Sequence, residues 1–444
     1  MKRIKWVLWL FLAILSGAWL LADTLSPEPF HYFSFREVFV QYTGTLAMAT
    51  MSLAMLLAAR PKWLERPLNG LDKMYRLHKW LGIAGLLFAV THWWWAQGTK
   101  WMVGWGWLDR PVRGAGAEQA LPGFEQWLRS QRGLAETLGE WVFYVMAILI
   151  VLALVKRFPY HLFKKTHHWL ALGYLVLVYH STVLVKPDYW TEPVGWILAI
   201  LMLGGSLSAI QVLSGRVGRR LTTQGTIASL IDYPRLGVIE GAVELRDRWA
   251  GHAPGQFAFV TSNMREGAHP YTIASSWDPA EHRLVFIVKA LGDHTRRLRD
   301  RLEVGMPVRV EGPYGCFDFD DDNPRQIWVG AGIGITPFIA RMKHLARAPG
   351  QQTIDLFHVT DDSDPVAFDK LAADAAAAGV TLHLIVTPRD GRLSAERIRA
   401  AVPDWSEASL WFCGPNEFGR TLYRDFLKAG MSPADFHREL FEMR

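Results

Sequence analysis

The sequence predicts a multidomain protein: a six-helix transmembrane bundle, then an antiparallel β-barrel, then an α/β domain built on a parallel sheet. Three observations predict this. The long apolar runs lie almost entirely within residues 6–213. Short strand-like runs separated by turn signals follow, as in small barrels. Strands alternating with helices fill the remainder, the pattern of a parallel sheet with crossover connections. A chain of 444 residues is too long for one ordinary domain, and the boundaries fall at 1–214, 215–322 and 323–444.

Six runs, at 6–22, 37–59, 76–97, 139–156, 167–185 and 194–213, each come near the ~20 residues a helix needs to cross a bilayer. The first follows "MKRIK", which has the charge of a signal-peptide start. No small-x-small cleavage site follows cleanly, so a retained helix is expected. The net charge of +6 does not point to nucleic acid, because the basic residues form no stripe interleaved with aromatics. They crowd the ends of apolar runs instead: Lys2, Arg3 and Lys5; Arg60, Lys62, Arg66, Lys73, Arg76 and Lys79; Lys156, Arg157, Lys164 and Lys165. The positive-inside rule puts all three regions on the cytoplasmic face, and six spans then return residues 215–444 to the cytoplasm. The expected setting is a bacterial inner membrane, with the lipid bilayer as partner and no obligatory protein partner evident. The two cysteines, Cys316 and Cys413, show neither metal spacing nor a disulfide framework, as suits a reducing compartment.

Polar ionisable side chains inside spans are costly and mark working sites. The third span carries His78 and His92, and the fifth carries His167, His168 and His180. Both spans run inside to outside, so each offers one histidine near either face. The step from His78 to His92 is 14 residues, about 21 Å of axial rise and nearly four whole turns, so both project from one face. The pairs His78/His167 and His92/His180 are placed to clamp two planar groups stacked across the membrane. Imidazole suits iron, and two axial histidines make a six-coordinate haem for electron transfer. The plainer reading is a hydrogen bond from each histidine to a neighbouring helix; matched inner and outer pairs favour haem. The step from His167 to His180 is 13 residues, which rotates the face by about 140°, and starting from His168 is no better. A π-bulge or bend in that span is expected. Spacing leaves the choice between His167 and His168 open.

"RLHKWLG" with His92 following, and "THHWLALGYLVLVYH", resemble the six-helix haem domain of transmembrane ferric reductases and NADPH oxidases. In that family the first histidine of a Thr-His-His triplet pairs with one thirteen residues later. The resemblance therefore implies His78, His92, His167 and His180 as metal ligands of two b-type haems, with His168 a neighbour. "APGQFAFV", "HPYTIASS" and "RLVFIVKALGDHTRRL" read alone as ordinary strands. In this order they resemble the flavin-binding barrel of the ferredoxin reductase superfamily. That implies FAD, with His269, Pro270, Tyr271 and Thr272 at the isoalloxazine and ribityl chain, and Gly292, Asp293 and Thr295 beside the pyrophosphate. Many members have arginine at the place of His269; the oxidases share the histidine.

In "RQIWVGAGIGITPFIARMKHLA" an apolar strand runs into Gly330, Gly332 and Gly334, then Thr336 and Pro337 open a helix. Glycines admit backbone close to a pyrophosphate, and a helix N-terminus favours its charge. This is the expected nucleotide site of an NAD(P)H-binding domain. "WFCGP" resembles the second nicotinamide contact of the superfamily, implying Gly414 and Pro415 at the cofactor and Cys413 near the hydride path. From its apolar neighbours alone, Cys413 is as well read as a core thiol. The resemblance also implies that Phe441, three residues before the end of the sequence given, shields the flavin ring. For the nucleotide, acidic "TDDSD" opposes a 2′-phosphate while Arg389 and Arg392 suit one, so NADH and NADPH both stand.

The implied activity is a transmembrane oxidoreductase passing electrons from cytoplasmic NAD(P)H through FAD and two haems to a small-molecule acceptor outside. That acceptor is oxygen, giving superoxide, or a ferric chelate, with oxygen slightly favoured. Two rivals exist: a haem flavocytochrome that feeds a periplasmic protein partner, and a non-redox scaffold. The fused dehydrogenase opposes the first, and the histidine pairs oppose the second. The Trp-rich stretch at 98–138 is expected as an outer loop, anchoring at the interface or covering the outer haem.

Overall fold

The computed structural model describes residues 2–109, 123–155, 157–158, 160–263 and 266–439. The chain clusters into two compact units, residues 1–64 with 73–217, and residues 65–72 with 218–444.

The first unit is helical: α1 (Lys2–Ala22), α2 (Tyr32–Ala58), short α3 (Lys62–Leu68), which straddles the unit boundary, α4 (Leu71–Gly104), α5 (Gly123–Leu154), α6 (Tyr160–Leu184) and α7 (Pro193–Leu213). Helix α2 starts on a reciprocal cap, in which the Ser34 amide donates to His31 Nδ1 and the His31 amide donates to Ser34 Oγ. Pro193 opens α7, where its missing N–H costs nothing. Trp19, Met48, Tyr174, Leu198 and Met202 fill the core between α1, α2, α6 and α7. Gly205 lets α7 approach α6, since a methyl there would lie 2.2 Å from the Tyr174 hydroxyl.

Among the described residues six helices have 21 residues or more. Only four of these, α1, α2, α5 and α7, are both long and apolar enough to cross a membrane. The expected count of six spans is supported for four helices. Helices α4 and α6 fall short because they carry the histidines and the flanking lysines, including "YRLHK" and "KKTHH". The expected loop at 98–138 is also much shorter, because α4 runs on to Gly104 and α5 begins at Gly123. Helix α6 is a regular α-helix with no π-turn among its described residues.

The second unit holds two sheets. Strands β1 (Thr222–Tyr233), β2 (Val238–Leu245), β3 (Phe257–Thr261), β4 (His269–Thr272), β5 (Arg283–Lys289) and β6 (Pro307–Tyr314) form an antiparallel sheet in the order β4-β3-β6-β1-β2-β5. A single bridge from Ile273 to Phe286 joins its two edges, and Ile227, Ala258, Ile273, Leu284 and Val310 fill its interior. The short helix α8 (Asp293–Leu298) follows β5.

Strands β7 (Arg325–Ala331), β8 (Thr353–Thr360), β9 (Thr381–Val386), β10 (Ala408–Cys413) and β11 (Phe436–Arg438) form an all-parallel sheet. Helices α9 (Thr336–Arg347), α10 (Pro365–Ala377), α11 (Thr387–Asp390), α12 (Ala395–Ala401) and α13 (Asn416–Lys428) connect them. Central strands covered on both faces read as unbroken apolar runs, as "IWVG" and "SLWFC" do. The order β9-β8-β7-β10-β11 reverses direction between β7 and β10. The carboxyl ends of those two strands are where open α/β sheets bind ligands.

Candidate functional site

Helices α4 and α6 bring four histidines into two facing pairs. The His78 and His167 rings lie 5.9 Å apart between centroids, with planes at 68°. His92 and His180 lie 6.4 Å apart at 83°. A metal–imidazole bond of about 2.0 Å plus a ring radius of roughly 1.2 Å on each side separates two opposed imidazoles by ~6.4 Å. Each pair therefore has room for one metal ion between the rings. His78 Nδ1 donates to the Ala54 carbonyl at 2.9 Å, His92 Nδ1 to Val40 at 2.9 Å and His180 Nδ1 to Ala135 at 2.8 Å. A bond of this kind fixes the ring and leaves Nε2 as the donor to a metal. His180 thereby meets α5, and α6 stays a regular α-helix between His167 and His180. Gly139 makes this possible, because a methyl there would sit 2.0 Å from His180 Nδ1; Gly44 similarly leaves 3.0 Å beside the His92 ring. His92 and His180 face a cavity of about 260 Å³ whose walls also include Arg36, Gly44, Gln97 and Glu140. His168 is exposed and belongs to neither pair. The donor set and spacing of both pairs, with glycine clearances and a cavity at His92/His180, fit bis-imidazole haems.

In the antiparallel sheet, His269, Pro270, Tyr271 and Thr272 make up β4. His269 stacks on His294 at 3.6 Å and 8°. His294 Nε2 meets the Tyr271 hydroxyl at 3.1 Å, and its Nδ1 pairs with Glu266, which also accepts from Arg301. Burial alone would raise the Glu266 carboxyl, but hydrogen bonds from Arg301 and His294 hold it below its ordinary value. Burial raises the Tyr271 phenol. Glu266, His269 and His294 bring ligand-type atoms within 4.8 Å of one another. Both His294 nitrogens are engaged, however, the two imidazoles are parallel and Arg301 shares the carboxylate. The group is a hydrogen-bonded network rather than a cation site. Gly292 caps α8, and Thr295 Oγ1 accepts from the Leu291 and Gly292 amides at 2.9 and 3.0 Å. Sequence reasoning missed His294 and Glu266, although His294 occupies the variable place in the "Gly-Asp-x-Thr" segment.

At the switch point of the parallel sheet the glycines work by what they lack. Gly332 has φ +56, and a methyl on Gly334 would lie 2.2 Å from the Cys413 carbonyl oxygen. Gly414 has φ +158, and a methyl there would sit 2.7 Å from Ala331 Cβ. Gly330 belongs to β7, and its carbonyl accepts from His358 Nδ1 at 3.0 Å. Thr336 Oγ1 donates to Ile333 at 2.7 Å, and Pro337 sits in the first turn of α9. Pro415 precedes α13. Cys413 is fully buried, and its thiol is pushed up by burial and then by the nearby Glu439 carboxylate. Glu439, itself buried, is another residue the sequence did not disclose. Phe441 lies outside the described residues. A cavity of about 100 Å³ lined by Ala274, Lys289, Gly332, Ile333, His358 and Thr360 opens beside the glycine turn. Asp362 pairs with Lys289 at 3.0 Å. Arg389 grips Asp390 through two hydrogen bonds, holding that carboxyl down to about 2.

A helical unit with paired histidines, an antiparallel sheet and a parallel sheet with a glycine-bearing switch point together fit a transmembrane flavin-dependent oxidoreductase. Residues 43–178 match the family described as ferric reductase like transmembrane component, and residues 238–317 match the FAD-binding domain. These matches support a ferric reductase and NADPH oxidase-like family for the chain. It is 32% identical over 203 residues to an NADPH oxidoreductase of Mycobacterium tuberculosis, covering 43% of this chain and 52% of that one. It is 24% identical over 319 residues to ferric reduction oxidase 8, mitochondrial, of Arabidopsis thaliana, covering 68% and 39%. It is 26% identical over 328 residues to a superoxide-generating NADPH oxidase heavy chain of Dictyostelium discoideum, covering 64% and 60%. The chain spans about half the length of these relatives.

Proposed function

We propose that this chain is an NAD(P)H-dependent transmembrane oxidoreductase that moves electrons by way of FAD and two b-type haems to an acceptor across the membrane. On this reading all six long helices span, the antiparallel sheet is a closed barrel and the nucleotide domain is cytoplasmic. The observation that carries it is the two histidine pairs, each at a bis-ligand separation, in one chain with a flavin-type sheet and a glycine-bearing switch point. When bound, the haems supply one-electron transfer through the bilayer and the flavin converts a two-electron hydride into single electrons.

The residues position rather than react. Gly334 and Gly414 let β7 and β10 close on each other so that the start of α9 can face a pyrophosphate. Cys413 lines the hydride path as a neutral, buried thiol. The network of Arg301, Glu266, His294 and Tyr271 fixes the flavin-facing edge of β4. His78, His92 and His180 orient through their backbone carbonyl partners and offer Nε2. His78, His92, His167 and His180 would hold the haems from both sides, which would leave no position for an acceptor to bind iron, so both oxygen and ferric chelates are expected substrates, with oxygen slightly favoured.

Membranes containing the protein should oxidise NAD(P)H in air with superoxide formation, and should reduce a ferric chelate when oxygen is excluded. Brisk ferric reduction with no superoxide in air would remove oxygen as the acceptor. Activity that appears only when a soluble periplasmic fraction is added would favour transfer to a protein partner instead.

A further inference from the structure

Three lysines line the cavity beside the glycine turn: Lys289, Lys343 and Lys370. Two of them are balanced from nearby. Lys370 Nζ donates to both Glu240 oxygens at 2.8 and 2.7 Å, and that carboxylate is only 13% exposed. Lys343 offsets part of the upward push that burial gives the Asp374 carboxyl. Lys289 is held more loosely. It closes β5, and its ammonium leaves the antiparallel sheet to meet Asp362 at 3.0 Å, a carboxylate 44% exposed. Asp362 stands just past β8, its main chain pinned by Thr360 Oγ1, which accepts from the Asp362 amide at 3.2 Å and donates to its carbonyl at 3.1 Å. The Lys289 charge also acts on His358, whose Nδ1 donates to the Gly330 carbonyl at the head of the glycine turn. Lys289 therefore shares one cavity with the turn that leads into α9, where a pyrophosphate is favoured. An exposed ion pair is weak, and a phosphate is the stronger partner for an ammonium. We propose that Asp362 is an internal stand-in for the nucleotide: it holds the Lys289 ammonium until NAD(P)H binds, and then yields it to the pyrophosphate.

This rests on the nucleotide site of the proposed function and adds an exchange of partners to it. The exchange is ionic, with no covalent or redox step: one ammonium–carboxylate contact breaks and one ammonium–phosphate contact forms. Asp362 is left to water, which its exposure permits. The net effect is to weaken nucleotide binding, because an ion pair must be given up first. A carboxylate that merely repelled the phosphates would weaken binding too, but it would do so whether or not a lysine stood beside it. Asp362 acts through Lys289, so its influence vanishes when the lysine is removed. The pyrophosphate is common to NADH and NADPH, so the effect applies to both.

The test titrates NADH and NADPH against the purified full chain, with an artificial acceptor in excess so that the outer acceptor does not limit the rate. Asp362→Asn keeps the shape and removes the charge; it should lower KM for both nucleotides about threefold, the scale of an exposed ion pair. Lys289→Met keeps the apolar stem and should raise KM about tenfold, the scale of a hydrogen bond to a charged group. The double variant should match Lys289→Met alone, since the carboxylate then has nothing to hold. Each change should fall on KM rather than on the maximal rate, the mark of a group that binds without entering the chemistry. An unchanged or raised KM in Asp362→Asn, or an unchanged KM in Lys289→Met, would overturn the proposal. So would the same threefold gain from Asp362→Asn in both backgrounds, which would make Asp362 a plain repulsive charge. Wild-type protein that carries FAD yet oxidises neither nucleotide would overturn the proposed function instead, and that control is read before any variant is compared.

Discussion

The helical unit and the parallel sheet build their sites in opposite ways. On the proposed reading the working atoms of the helices are side-chain nitrogens, three of them oriented by a carbonyl from another helix. On the same reading the working surface of the sheet is main chain, brought close because Gly334 and Gly414 have nothing to hold it off. The first kind of site is destroyed by taking atoms away and the second by adding them. That difference gives each half its own diagnostic substitution.

The largest effect expected is in the helices. His92→Ala or His180→Ala should each remove about half of the haem and abolish transfer to an external acceptor, while flavin reduction by NAD(P)H survives. His78→Ala and His167→Ala should remove the other half, and His168→Ala, whose side chain is exposed, should leave the haem-to-protein ratio unchanged. If the ratio is the same in all five variants, the histidines are packing residues and the contrast between the two halves collapses.

The converse change in the sheet is Gly334→Ala, which sets a methyl against the Cys413 carbonyl. NAD(P)H oxidation with an artificial acceptor should fall by more than about tenfold, the scale of displacing a positioned reactant, with both haems retained. A variant that oxidises NAD(P)H normally would show that the strand ends do not form the nucleotide site.

A smaller effect is expected in β4. His269→Ala, Thr272→Ala and His294→Ala should weaken FAD binding by about fivefold to tenfold, as loss of one or two hydrogen bonds would, and leave the haem spectrum intact. Loss of haem in any of them would mean that the two units are not independent.

The smallest effect is a pH dependence. The Glu266 carboxyl is held below its ordinary value of 4.5, so its stabilising contribution is complete above that value and fades as pH falls through the lower, folded one. FAD retention by the wild type should therefore drop on the acid side, and Glu266→Gln should flatten that drop. The group is partly exposed, so the effect is modest.

Sequence alone revealed the features that repeat at a structural period. The step from His78 to His92 and the glycines after an apolar strand are local patterns, and the structure places them at facing pairs and at a switch point. Hidden features were those made by contacts between distant segments. Glu266 and His294 meet across 28 residues, and Glu439 reaches the neighbourhood of Cys413 only because β11 pairs with β10. The histidines and basic residues of α4 and α6 keep these two helices less apolar than the other four long ones. The anchoring of His78, His92 and His180 was not legible either, since the partners are main-chain atoms that carry no sequence signature.

The central claim is that one chain couples a single flavin site to two bis-histidine haem sites. It is tested most directly by measuring haem and FAD together in the purified protein and recording the reduced-minus-oxidised spectrum after anaerobic addition of NAD(P)H. The account predicts two b-type haems per FAD, both reduced by the nucleotide. A protein that holds FAD but shows no b-type bands, or one haem that neither His78→Ala nor His92→Ala removes, would contradict it.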